Sequence, residues 1–324
     1  ISMSDGEMRL RVVDTEILKN GEEAFWIVSN FNGIETRSLV SIDGEILRQE
    51  GALGISMVRM TAEDAQNFGS DDDPVDLISL SAVPLNGKLE NARASRSLSF
   101  KVDGVPMEKI FNQPPLQVVE QSTVHIRTPS ISELPLLPIA LNDPNVEQEA
   151  WVKDAIDIPS LHPKIISKAK EVTIDAQDRL AAVQKLNQFV FEYVEKIPVI
   201  GVPNGLLTLK DAKGDCNEHT ILFVSLARAV GIPTRLAAGI VYSDRAGPIA
   251  QFYYHAWPEV WMGGDIWLPV DPTFGQVPAD ATHLKLIEGG LDRQVEIMAF
   301  LGQIALTVIP NKAILIPEKN EEIK

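Results

Sequence analysis

The sequence predicts an α+β protein in two parts, a strand-rich first part and a second part in which helices lead into strands. Two patterns carry this. Residues 7 to 125 hold short alternating or β-branched runs separated by turn residues, whereas helical periodicity begins only after a proline-rich stretch. At 324 residues the chain is comfortable for two domains.

In the first part, Met8–Val13 alternates, with Leu10 and Val12 set against Arg9 and Arg11, and Ala24–Val28, Ile46–Gln49 and Leu98–Val102 read as further strands. Ile42-Asp43-Gly44-Glu45 predicts a hairpin, since Asp-Gly suits the positive φ of a type I′ turn. Thr61-Ala62-Glu63-Asp64 predicts a helix start, and Asp71-Asp72-Asp73 reads as a solvated loop rather than an ion site. Six prolines between Pro129 and Pro163 mark a linker. The predicted boundaries are 1–127 for the β-rich domain, 128–163 for the linker, 164–310 for the second domain and 311–324 for a charged tail.

Helices are predicted at Pro163–Val172, at Ala176–Ile197 with Asp175 as N-cap and Pro198 as stop, and at Cys216–Val230, ended by Gly231-Ile232-Pro233. Strands are predicted at Thr234–Tyr242, Phe252–Met262 and Ile266–Asp271, then a last helix at Asp292–Leu301 and a strand at Ile304–Ile309.

Composition narrows the function. A net charge of −16 opposes nucleic-acid binding, which needs a basic face to neutralise phosphates. The apolar runs fall short of the ~20 residues of a membrane span. One cysteine, Cys216, allows no internal disulfide, and the five histidines (His125, His162, His219, His255 and His283) offer no metal-ligand spacing, so no metal or cofactor is expected. No G-x-S-x-G elbow points to a serine hydrolase. Because the sequence starts at Ile1, an upstream segment is expected to have been removed, and both a bacterial cytoplasm and an extracytoplasmic compartment stay open.

The chemistry concentrates in Gly214–Gly275. Asp215-Cys216-Asn217-Glu218 fits a capping box, with Asp215 at the N-cap and Glu218 reaching back to its N–H. Cys216 then stands in the first helical turn, where free N–H groups and the macrodipole favour a thiolate and lower the thiol pKa. Gly214 would let a substrate backbone approach, and Cys216 continues an apolar face with Phe223 and Ala227. In the strand after it, Tyr253, His255, Trp257, Glu259 and Trp261 share one face by alternation; in the next, Trp267, Pro269 and Asp271 do. Antiparallel pairing would bring Asp271 to His255, so that His255 takes the thiol proton and Asp271 fixes its tautomer. Trp257, Trp261 and Trp267 would wall the site, and Pro258 predicts an edge or bulge. Taken singly, each residue has a plainer role: Cys216 as a core hydrophobe, His255 as a half-buried strand histidine, Asp271 as a turn residue and the tryptophans as core.

Together these segments resemble the transglutaminase-like superfamily: Lys213-Gly214-Asp215-Cys216-Asn217-Glu218-His219-Thr220, Ala227–Arg235, Tyr254-His255-Ala256-Trp257-Pro258-Glu259-Val260-Trp261 and Trp267–Thr273 occur in the family's order. The resemblance spans about residues 160 to 290. It implies a papain-like transglutaminase core, a Cys-bearing helix packed on an antiparallel sheet, with Cys216, His255 and Asp271 as catalytic triad. It also implies a thioester intermediate on a glutamine or peptide carboxamide of a peptide or protein substrate. Hydrolysis is expected ahead of amine transfer, because cross-linking needs a site that excludes water and admits lysine. The oxyanion hole is expected to combine the Cys216 N–H with a side-chain donor, for which Asn204 is the nearest candidate. The alternative is a catalytically silent module of the same fold used for binding.

Overall fold

The computed structural model describes residues 8–18, 20–31, 34–50, 56–61, 82–135, 149–197, 199, 202–244, 249–290, 297 and 301–310. The expected helix start at Thr61–Asp64, the Asp71–Asp73 loop, the body of the helix at Asp292–Leu301 and the charged tail lie outside these residues, apart from Thr61, Ile297 and Leu301.

Among the described residues, the strand-rich part holds two sheets. The first is an antiparallel meander of β1 (Met8–Ile17), β2 (Glu23–Phe31), β3 (Ile34–Ser41), β4 (Ile46–Glu50) and β5 (Ser56–Val58). Its own core is small, Ala24, Trp26 and Leu39, while Leu10, Val12 and Ile17 of β1 stay exposed. The Asp-Gly hairpin forms between β3 and β4, but not as type I′. Gly44 alone has positive φ (+83°), its N–H bonds Ser41 O at 3.0 Å, and the Ser41 N–H bonds Glu45 O at 2.9 Å. This is a three-residue loop closed by a glycine bulge, which spares Asp43 the left-handed region.

The second sheet has the order β6-β14-β7-β9-β8, from β6 (Leu85–Asn86), β7 (Ser97–Asp103), β8 (Gln117–Glu120), β9 (Thr123–Arg127) and β14 (Ala305–Ile309). The last strand, expected to close the second domain, thus returns to the first: β14 runs antiparallel to β7 and parallel to β6.

Among the described residues, α1 (Pro163–Thr173), α2 (Arg179–Tyr193), α3 (Gly205–Asp211) and α4 (Cys216–Ala229) follow. The predicted Ala176–Ile197 helix is shorter at both ends. Asp178, not Asp175, is its N-cap, accepting from the Ala181 N–H at 2.8 Å. At the other end Val194 is already extended and Glu195 bridges to Lys213, leaving the chain committed before Pro198.

The third sheet, order β12-β11-β10-β13, is built from β10 (Thr234–Ser243), β11 (Gln251–Trp261), β12 (Trp267–Pro269) and β13 (Leu284–Glu288). From Glu218 to Arg228 every residue of α4 is buried, and Leu222, Phe223, Leu226 and Val230 join Leu236, Val260 and Leu268 of the sheet in one core. Each fully buried side chain of this size contributes roughly 1.5–3 kcal/mol. The other face of this sheet rests on the strand-rich part. Gln117 of β8 accepts from the Lys285 N–H at 2.8 Å and donates to the Lys285 carbonyl at 2.7 Å, so one side chain stands in for a paired strand.

Candidate active site

The cysteine is placed by the helix start and by the edge of β11. Asp215 caps α4, accepting from the Asn217 N–H at 2.8 Å, and Glu218 Oε2 accepts from the Asp215 N–H at 2.9 Å, completing the capping box. His219 adds a bond from Nδ1 to the Asp215 carbonyl at 2.6 Å. Gly214 is buried, and a Cβ there would stand 2.2 Å from Glu218 Cβ, so its glycine is required by the cap rather than by an approaching substrate.

β12 covers β11 only from Glu259 to Trp261, and Pro258 has no N–H to extend that ladder. The edge beyond is therefore open, and α4 occupies it. Thr220 Oγ1 donates to the Ala256 carbonyl at 3.0 Å, and the Ala256 N–H donates to the Cys216 sulfur one turn earlier. Cys216 is thereby fixed to the residue that follows His255. It also packs with Tyr254 against a different apolar cluster from the one beneath the rest of α4.

The environment of the thiol reverses the expected pKa direction. Burial and the charge of Asp215 push it well above its ordinary value, the Ala256 N–H pulls it back, and Asp271 and Glu218 add to the rise. Low dielectric and three carboxylates outweigh the helix start. The Tyr254 phenol is raised as well, by burial and then by Cys216 and Asp215.

His255 and Asp271 meet as their strand phasing predicts: Glu259 pairs with Pro269, so two residues on, Asp271 draws level with Trp257 and lies diagonal to His255. His255 Nε2 is 2.9 Å from Asp271 Oδ2, while Asp271 Oδ1 accepts from the N–H groups of Thr273 and Phe274 at 2.7 and 3.0 Å. Asp271 is fully buried. Burial alone would raise its pKa, but the charge and hydrogen bond of His255, then those of His283, hold it well below the carboxylate range.

His283 is the member that the sequence reading passed over. Its Nε2 also lies 2.9 Å from Asp271 Oδ2, and its Nδ1 lies 3.0 Å from the Asp280 carbonyl. Asp280 in turn binds Arg93 Nη1 at 2.8 Å, a residue contributed by the strand-rich part. Before β13, with no repeated spacing to the other site residues, His283 had no signal beyond its residue type.

The aromatic wall is only partly as expected. Trp257 lies parallel to the His255 ring at 6.1 Å and edge-on to His283 at 5.1 Å. Trp261 and Trp267 serve elsewhere, beneath Arg179 at 5.2 Å and Arg235 at 4.1 Å. Their place is taken by Phe274, stacked on His255 at 5.1 Å and 12°, with the Arg93 guanidinium 4.4 Å from its ring. Asn204 caps α3: its Oδ1 accepts from Leu206 and Leu207 N–H at 3.0 and 3.2 Å, and its Nδ2 donates to the Ile156 carbonyl at 2.8 Å, so its amide is engaged away from an oxyanion role.

His255, Asp271 and His283 offer three metal-ligand atoms within 4.8 Å of one another. Both imidazole nitrogens sit 2.9 Å from the same carboxylate oxygen, which is hydrogen-bonding geometry. Among the described residues, no helix is long and apolar enough to cross a membrane.

A helix-borne cysteine stands against an antiparallel sheet carrying His and Asp, an α+β arrangement, and residues 166–272 match the transglutaminase-like superfamily model. This part of the chain is similar to that family. Among known proteins it is similar to a protein-glutamine gamma-glutamyltransferase of Pseudomonas aeruginosa, 34% identical over 119 residues that make up 35% of this chain and 17% of that one. It is also 33% identical over 73 residues to the uncharacterized protein ML0607 of Mycobacterium leprae, covering 22% of this chain and 25% of that one. The matched stretches are thus a quarter or less of either relative's length. Two solved structures are also similar to this chain. One, a candidate cysteine protease from Cytophaga hutchinsonii, is 16% identical with a TM-score of 0.41, covering 61% of this chain and 78% of that one. The other, the periplasmic domain of TgpA from Pseudomonas aeruginosa, is 18% identical with a TM-score of 0.32, covering 58% and 93%.

Proposed function

We propose that Cys216, His255 and Asp271 act as a catalytic triad on carboxamide bonds, with the side chain of a peptide-bound glutamine as acyl donor. The observation that carries this reading is the 2.9 Å bond from His255 Nε2 to a buried, ionised Asp271, one residue along β11 from the Ala256 amide that grips the thiol. With Nε2–H engaged by Asp271, Nδ1 of His255 is left as the base.

The thiol is neutral at rest, so its proton passes to His255 as the sulfur attacks the carboxamide carbon. The Cys216 N–H, in the first turn of α4, has no acceptor within the helix and would face the developing oxyanion. His255 then gives the proton to the departing amine, leaving a thioester. Water or a primary amine attacks the thioester, His255 removes the acceptor's proton, and the acyl group leaves as acid or as new amide while the thiol is regenerated. Water is the default acceptor because it needs no binding site. The Pseudomonas relative's name, a gamma-glutamyltransferase, supports glutamine as donor and amine as the competing acceptor.

The test is ammonia release from a glutamine peptide, with and without a primary amine, alongside mass spectrometry of the acyl-enzyme. Ammonia release dependent on Cys216 and His255 supports the triad, and its response to amine tells transfer from hydrolysis. Peptide binding without ammonia release or acyl-enzyme would instead make the domain a silent binding module.

A further inference from the structure

We propose that His283 is a positioning residue of this site: an imidazolium clamped between Asp271 and Asp280 that holds the Asp271 carboxylate in place and sets how strongly His255 retains a proton. The proposal rests on the triad reading for its effect on His255, while the state of His283 itself stands on geometry.

Each ring nitrogen of His283 faces an oxygen acceptor. Nδ1 points at the Asp280 backbone carbonyl at 3.0 Å, with Asp280 Oδ1 at 3.5 Å; a carbonyl only accepts, so Nδ1 carries a proton. Nε2 points at Asp271 Oδ2 at 2.9 Å. The Asp271 carboxyl already takes two backbone N–H groups on Oδ1 and the His255 Nε2 on Oδ2, an all-acceptor arrangement that favours its ionised form. Nε2 of His283 therefore donates too. With both nitrogens donating, the ring is a cation.

A buried cation is tolerated only when paired, and this one has two acidic partners. Asp280 is itself pinned by Arg93 Nη1 at 2.8 Å, Gln276 Nε2 at 2.9 Å and the Thr282 N–H at 2.8 Å. Lys285, Glu259 and Arg127 line the small cavity beside His283, and the His255 ring lies 5.7 Å away. Asp271 also acts electrostatically on Lys196, His219 and Cys216. Burial pushes His283 down, but its bonds to Asp271 and then Asp280 hold it up, to about 9.

The consequence concerns His255. One carboxylate shared by two imidazoles offers His255 less than a full compensating charge. A base that must surrender its proton to the leaving amine gains from being held less tightly. His283 also completes four N–H donors around Asp271, which fixes the direction of Oδ2 toward His255.

The experiment has two arms. In the wild-type protein, ¹⁵N spectra of the histidine side chains should show one imidazole doubly protonated through pH 8, absent in His283→Gln. A neutral tautomer of His283 at pH 7 would overturn the proposal whatever the enzyme does. In the second arm, His283→Gln keeps an N–H toward Asp271 but removes the charge, and the acid limb of the rate should move up by about one pH unit. An unmoved limb in a folded variant would reduce His283 to a structural residue. If no acyl chemistry is found, the pH profile of Cys216 alkylation replaces the rate in this arm. The triad reading can thus fail while His283 is still decided. Should His283→Gln not fold, Asp280→Asn, which removes the second acidic partner, is expected to lower the pH at which the wild-type doubly protonated signal is lost; no change in that pH would overturn the clamp.

Discussion

Thr220 donates its hydroxyl to the carbonyl of Ala256 at 3.0 Å, and through that bond the first turns of α4 are fastened to the open edge of β11. The same residue of β11 gives its N–H to Cys216. Replacing Thr220 with Val keeps the shape but strands a buried carbonyl, at a cost of about 1–3 kcal/mol. Thr220→Val should therefore lower the urea midpoint and, by loosening the thiol from His255, reduce turnover more than substrate binding. Thr220→Ser should restore both. Equal loss in the serine variant would mean that the methyl packing, not the hydrogen bond, sets the position.

The ionisation of Cys216 provides a second test. Burial and Asp215 raise the thiol, so its alkylation by iodoacetamide should follow an apparent pKa above the ~8.5 of a free cysteine. Asp215→Asn keeps an oxygen to accept the N-terminal N–H groups of α4 but removes the nearby charge. Alkylation at pH 7.5 should then be faster than in the wild type. A wild-type profile centred below the free-thiol value would instead show a thiolate–imidazolium pair at rest.

How much of this could be read from the sequence follows from the range of the forces involved. The capping box at Asp215 and Glu218, the end of α4 at Gly231 and the alternation through His255 are local, set by neighbouring residues, and they are legible. Asp271 needed one further step, a register between adjacent strands, and the short β11–β12 connection made that step short. His283, Arg93 and Phe274 reach the site through long-range packing: Arg93 binds Asp280 across 187 residues of chain. Nothing local marks such a residue. Trp261 and Trp267 have the right phase but stand too far along β11 and β12. The raised thiol pKa escapes the sequence for a related reason: the helix start is visible there, whereas the burial that outweighs it is not.

Asp271→Asn tests the His255 bond separately. The amide keeps the shape of the carboxylate but must offer an oxygen to His255 and His283, two N–H donors that now have no charge to share. It should lower kcat/KM by roughly 10²–10⁴, through the wrong tautomer of His255 and a weaker imidazolium. The far-ultraviolet circular dichroism should be unchanged. A variant retaining near wild-type rates would remove Asp271 from the triad.

Glu218 gives the fold a pH dependence of its own. Burial, and then its hydrogen-bonding with Asp215, raise its carboxyl from 4.5 to about 7, so the folded state favours the protonated acid. For a group whose folded pKa lies above its unfolded value, the stabilisation is fully present below the unfolded pKa and is lost as pH rises through the folded one. The protein should thus lose stability from this residue between pH 4.5 and about 7. Glu218→Gln supplies a neutral acceptor for the Asp215 N–H at every pH, and Gly214 still leaves room for the side chain. Urea midpoints taken across that interval should therefore fall in the wild type and fall less in Glu218→Gln. The difference between the two curves isolates Glu218 from Asp271, whose depressed pKa puts its own loss of stability at more acidic pH. Parallel curves would show that Glu218 is ionised throughout and that the cap tolerates a second carboxylate beside Asp215.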